Sequence, residues 1–121
     1  MPTKKSKPVQ VDAQIDGQIN TQISELLAQL WQKNLPVIRE RLDLLDQFGS
    51  AAVSGSFEEH TRIEAIDIAH KLAGSLGMYG YQQGTELDSR MERILKSPTP
   101  ETLGTLRALA ADLRKSLAAD L

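Results

Sequence analysis

From Thr21 onward apolar side chains recur every three or four positions, the spacing of one helix face: Ile23, Leu26, Leu27, Leu30 and Trp31, then Leu35, Ile38, Leu42, Leu45 and Phe48. This predicts one long helix or two stacked ones. Pro36 lacks an amide donor and crowds the preceding turn, so a kink or short break is expected near residues 33–35, with the seam continuing across it. Gly49, Ser50, Gly55 and Ser56 mark a connection, and Ser56 with Glu59 matches a capping box for a second helix running to about Met78. Its apolar side is Ile66, Ala69, Leu72, Ala73 and Leu76, with Ile63 and Ile68 at the margins. Gly77 and Gly80 bracket a turn, after which Leu87, Met91, Ile94 and Leu95 supply a third stripe, ended by Ser97-Pro98-Thr99-Pro100. Thr99 as N-cap and Pro100 at the first helical position then open a fourth helix carrying Leu103, Leu106, Leu109, Ala110, Leu113 and Leu117.

No strand-like alternation interrupts this pattern, and short connections make sequential helices neighbours. The expected fold is all-α: an antiparallel up-down-up-down four-helix bundle over residues 20–121, with a long first helix kinked at Pro36. Residues 1–19 are polar, mix Pro2, Pro8 and Gly17 with Gln and Lys, and lack a strong period, so they read as a flexible leader.

Composition narrows the function classes. The 121 residues suffice for one domain, and 40% hydrophobic with only 4% aromatic residues implies a core of Leu, Ile and Ala. With no cysteine, disulfides and thiolate chemistry are excluded. The net charge is -2 and the basic residues of the tail, Lys4, Lys5 and Lys7, leave the remainder more acidic, which argues against nucleic-acid binding. No apolar run approaches the roughly 20 residues needed to span a bilayer, and the amino terminus lacks a signal-peptide core. A soluble cytoplasmic protein is the expectation.

Candidate chemistry concentrates in Ala69-His70-Lys71-Leu72-Ala73-Gly74-Ser75-Leu76-Gly77-Met78-Tyr79-Gly80. On a helical wheel His70 lies beside the apolar arc, with Gly74 and Gly77 on its side, so the imidazole should reach solvent. Glycine within a helix costs roughly 1 kcal/mol relative to alanine, and two of them beyond one histidine would clear an approach to its ring. Close helix packing is the competing explanation for these glycines. His60, near a helix start, reads as an ordinary surface residue. Asp67 and His70 form a single acidic-x-x-His pair, short of the two that a di-metal carboxylate bundle requires, so no metal site is expected.

The stretch resembles the phosphoacceptor motif of histidine-containing phosphotransfer domains: His70, Leu72, Gly74, Ser75 and Gly80 stand where that motif has His, Leu, Gly, Ser and Gly. Leu87 and the Met91-Glu92 pair extend the likeness into the third helix, at places the family usually gives to Leu and Leu-Glu. The resemblance implies a phosphorelay intermediate that accepts a phosphoryl group on His70 from a receiver-domain aspartyl phosphate and passes it to another receiver. It implies no autonomous ATP-dependent kinase activity and no cofactor, since the receiver brings its own metal ion and cation to the shared site. The implied partners are response-regulator receivers, with a hybrid sensor histidine kinase as a further candidate, meeting a monomer through Asp67, Lys71, Gly74 and Gly77. One position departs from the pattern. Residue 73 is Ala where the family commonly places Lys, a cation able to offset phosphate charge, and Lys71 points about 100 degrees away around the helix. The alternative reading is a helical interaction module that binds partners without covalent chemistry.

Overall fold

A computed structural model describes the backbone of residues 9–55 and 57–121 and the side chains from residue 17 on, except Ser56. The elements are α1 (Val9–Ser54), α2 (Glu59–Met78), α3 (Gln82–Lys96), the single turn α4 (Pro100–Leu103) and α5 (Leu106–Leu117), closed by a 3-10 turn at Ala118–Asp120. Among the described residues there is no strand, and the chain is all-α.

The chain divides into two compact units, Met1–Asn34 and Leu35–Leu121. In the first, helix is continuous from Val9, well before the start predicted at Thr21, so the expected leader is helical over residues 9–19. Its first eight residues lie outside the described ones. Gln, Ala, Ile and Asp all tolerate helix, and the absence of a periodic seam measures what a helix can bury, not whether it forms. Accordingly Ile19, Ile23 and Leu26, one apolar row, remain exposed. No break occurs at Pro36 either: both Pro36 and Gln32, whose carbonyl loses its amide partner, are exposed, so water can satisfy the freed oxygen.

The second unit holds the core. Ile38, Leu42, Leu45, Ala65, Ala69, Leu72, Leu76, Met91, Leu95, Leu106, Leu113 and Leu117 are each at most 2% exposed. Helices α2 and α3 run antiparallel, because contacts pair rising numbers on one with falling numbers on the other. The Arg62 guanidinium donates to the Leu95 carbonyl at 2.6 Å, and His70 meets Glu92. A Cβ on Gly84 would lie 3.4 Å from Leu76 Cδ1, and also against Leu113 and Leu117 of α5, so this glycine lets α3 sink between its neighbours. The later half of α1 and α5 are antiparallel too, tied where Arg114 donates to Asp43 Oδ1 and Asp46 Oδ2, both at 2.7 Å.

Local signals decide the connections. Gly80, at a φ of 85°, ends α2 in a Schellman arrangement: Tyr81 N–H bonds to the Leu76 carbonyl at 2.9 Å and Gly80 N–H to that of Gly77 at 3.2 Å. The expected start of α2 moves. Ser56 lies outside the described residues, and Glu58 is the N-cap, with no side-chain cap bond. Thr99 caps α4 reciprocally with Thr102, with Pro100 at the first position as predicted, but the fourth helix is split after Leu103. The Thr105 hydroxyl bonds back to the Thr102 carbonyl at 2.6 Å, and α5 begins only at Leu106.

Gly49 lies inside α1 and not in a connection. An added Cβ would come within 2.9 Å of Arg107 Cα and 3.1 Å of its nitrogen, so backbone meets backbone here. Gly74 in α2 is the opposite case, with nothing among the described residues within 4 Å of an added Cβ. The same substitution therefore has opposite signs at the two sites. Gly74→Ala should raise stability by roughly 1 kcal/mol through helix propensity. Gly49→Ala should lower it by about 1–2 kcal/mol, overpacking outweighing the same gain. Urea unfolding midpoints measure both.

Candidate functional site

Eight residues after the last residue of its first turn, α2 presents His70 outward while Ala69 and Leu72 on either side are fully buried, so the backbone beneath the ring is fixed by core packing. The imidazole is 75% exposed, and its Nδ1 lies 3.1 Å from Oε2 of Glu92, whose side chain is only 12% exposed. An ionised carboxylate accepts only, so Nδ1 carries the proton and donates, which leaves the lone pair on Nε2 toward solvent. Lys96 Nζ reaches the same Oε2 at 2.9 Å. Burial pushes the Glu92 carboxyl up, but the hydrogen bonds and charges of Lys96 and His70 outweigh it and hold the group below its ordinary range. Glu92 is thus an anionic anchor that sets the tautomer and orientation of the ring.

Around the ring runs an open groove of about 420 Å³ lined by Arg41, His70, Lys71, Gly74, Ser75 and Met78. Two of the predicted contact residues, Lys71 and Gly74, share it with His70. Lys71 is committed to Asp67, with Nζ and Oδ2 2.9 Å apart on the exposed surface. Gly77 and Asp67 lie outside the groove lining. An added Cβ at Gly77 would meet nothing nearer than Thr85 Oγ1 at 3.9 Å, so among the described residues packing requires neither Gly74 nor Gly77. His60 is exposed and sits 3.4 Å from Glu58 Oε1.

One turn before Glu92 on α3 is Asp88, 0% exposed, with no hydrogen-bond partner for either carboxyl oxygen among the described residues. Burial first, and then the charge of Glu92, push it up to about 8 against a weaker opposing pull from the Ala73 backbone. The predicted stripe of α3 is rotated accordingly: Gly84, Asp88, Met91, Glu92 and Leu95 face inward, while Leu87 and Ile94 are half-buried flanks.

The sequence model of the Hpt domain family matches residues 22–119. The chain belongs to the Hpt domain family. No curated protein and no solved structure matches it. Hpt domains are carriers of histidine phosphoryl groups in phosphorelays and meet the receiver domains of response regulators; they are not kinases. Among the described residues no helix is long and apolar enough to cross a membrane. Glu92, which the sequence reading placed in the motif without a role, belongs to the site because the α2–α3 register brings it beneath His70. Arg41 carried no signal at all in the sequence, because it reaches the groove from a different helix.

Proposed function

We propose that this Hpt domain, residues 20–121, accepts a phosphoryl group on Nε2 of His70 from the aspartyl phosphate of one receiver and passes it to the aspartate of another. The observation that carries this reading is the exposed ring held by Glu92 through Nδ1, in a groove that Gly74 lines without a side chain. In the step, the Nε2 lone pair forms the N–P bond while the P–O bond to the receiver aspartate breaks, and the electron pair leaves with the carboxylate. No proton need move. The ring becomes cationic with the proton still on Nδ1 and hydrogen-bonded to Glu92, whose negative charge stabilises it, and the reverse step unloads the group onto a second receiver. Positioning and charge compensation carry such a transfer, so the absence of a strong base on this surface is no obstacle.

Asp67, Lys71, Gly74 and Gly77 are the contacts we assign to the docked receiver, of a response regulator or of a hybrid sensor kinase, engaging one copy of this chain. Incubation with a phosphorylated receiver should label the protein, whereas ATP alone should not. Phosphate mapped to His70 supports the reading, and a panel of receivers that leaves the chain unlabelled favours the non-covalent interaction module. Gly74→Gln puts a long side chain one turn from His70 in space that is open, so the fold should hold while transfer from a receiver drops on the order of tenfold or more. Unchanged transfer in the folded variant would show that receivers do not approach across Gly74.

A further inference from the structure

Three cations surround His70, and two are already neutralised. Lys71 pairs with Asp67 and Lys96 with Glu92, each at 2.9 Å. Arg41, half-buried on α1, is the third, and it makes no ion pair among the described residues. Its Nη1 donates to the neutral hydroxyl of Ser75 at 3.3 Å. Gly74, four positions after His70, is its neighbour on the helix face, and Ser75, the next residue, stands on the flank of α2 and lines the same groove. The guanidinium is therefore held over that flank, in the groove that the His70 ring also lines, with the side-chain-free Gly74 between them. Four of its five N–H donors remain unused among the described residues, in a planar fork suited to phosphoryl oxygens.

We infer that Arg41, aimed by Ser75, is the cation that takes up the charge of the phosphoryl group on His70, in the role that Ala73 cannot fill. Transfer leaves about two negative charges at Nε2, and the one cation of the groove without a carboxylate partner among the described residues is the one to answer them. The arrangement supplies from α1 what a lysine on α2 would supply from within the same helix. This inference rests on His70 being the acceptor.

The test uses phosphoramidate as donor, so that no receiver surface enters the result: Nε2 attacks phosphorus, the P–N bond breaks and ammonia leaves. Phosphorus NMR then follows the second ionisation of the phosphohistidine group with pH. A neighbouring cation favours the dianion, so the midpoint in the unaltered protein should lie about half a pH unit or more below that of Arg41→Gln. Arg41→Lys should restore part of the difference. Ser75→Ala, which removes the aiming hydroxyl and keeps the guanidinium, should raise the midpoint by less than Arg41→Gln. A merely structural role for Arg41 would leave every midpoint the same.

Equal midpoints in the unaltered protein and the folded Arg41→Gln and Ser75→Ala variants would overturn the inference while leaving His70 as acceptor. A shift confined to Lys96→Gln would overturn it in favour of that lysine. Absence of any phosphohistidine signal in the unaltered protein would remove the acceptor, and the inference with it.

Discussion

His70→Gln abolishes labelling by a phosphorylated receiver and leaves the protein folded; both halves follow from the position of the ring. Three-quarters of the imidazole is in solvent, so its replacement opens no cavity, and substitutions at such surface positions usually change stability by about 0.5 kcal/mol or less. The one interaction at risk is the bond to Glu92. That carboxylate keeps Lys96 at 2.9 Å, and the glutamine amide can donate in place of Nδ1. What cannot be replaced is a nitrogen lone pair able to bond to phosphorus, since an amide nitrogen is not nucleophilic. His60→Gln should label normally, because His60 lies outside the groove, exposed and beside Glu58. The bond formed in the unaltered protein should be acid-labile, as protonating the phosphoramidate nitrogen makes it a leaving group. Circular dichroism checks the fold, and acid treatment of the labelled chain checks the bond. Full labelling of folded His70→Gln would transfer the acceptor role to another residue.

How much of this was legible in the sequence depended on whether a feature is written within one helix or between two. The seam of α2 is a periodicity within one segment: Ala69, Leu72 and Leu76 are buried with His70 outside it as expected, while Ile66 and Ala73 are half-buried and Ala65, not expected there, joins the core. The glycine after α2 and the Thr99 cap are local as well, because a positive φ or a short side-chain bond involves residues only a few positions apart. Gly49 misled because glycine has two meanings: it can end a helix or let two backbones meet, and only the approach of Arg107 chooses between them. The sequence suggested that Gly74 and Gly77 could serve packing; among the described residues a Cβ would meet nothing at Gly74 and only an ordinary contact with Thr85 at Gly77, a difference that the sequence alone does not show. Arg41 lies thirty-odd residues from Ser75 and becomes part of the site through the packing of α1 on α2.

Helix α3 was the least legible element. Apolar residues alone would turn Leu87 and Ile94 inward, yet the face that packs is the one that puts Glu92 under His70, and residues one turn away must follow it. Asp88 is carried into the core by that rotation. A buried carboxyl group with no hydrogen-bond partner among the described residues is a cost that no hydropathy pattern would choose, and it makes sense as the consequence of orienting α3 for its other residues.

That cost gives the protein a pH-dependent stability of defined sign. Asp88 has its folded value pushed up to about 8 from an ordinary 3.8, chiefly by burial and secondarily by the charge of Glu92 one turn away. Glu92 keeps its own charge because Lys96 and His70 hold it, so Asp88 is the member of the pair that takes the proton. Below about pH 4 Asp88 is neutral in folded and unfolded chains alike and contributes no slope. Between about pH 4 and pH 8 the folded chain binds the extra proton, so stability falls as pH rises, and above about pH 8 the full penalty is present. A shift of this size corresponds to on the order of 5 kcal/mol, a large part of the 5–15 kcal/mol typical of a whole domain. Asp88→Asn keeps the shape of the side chain and cannot ionise, so its stability should match that of the unaltered protein near pH 4 and exceed it increasingly toward pH 8.5. The other titrating groups are common to both chains, which makes the difference between their urea midpoints, measured at pH 4, 6 and 8.5, a reading of Asp88 together with its coupling to Glu92. Midpoints that stay parallel across that range would mean that the buried carboxyl finds a partner or a path to water when it ionises.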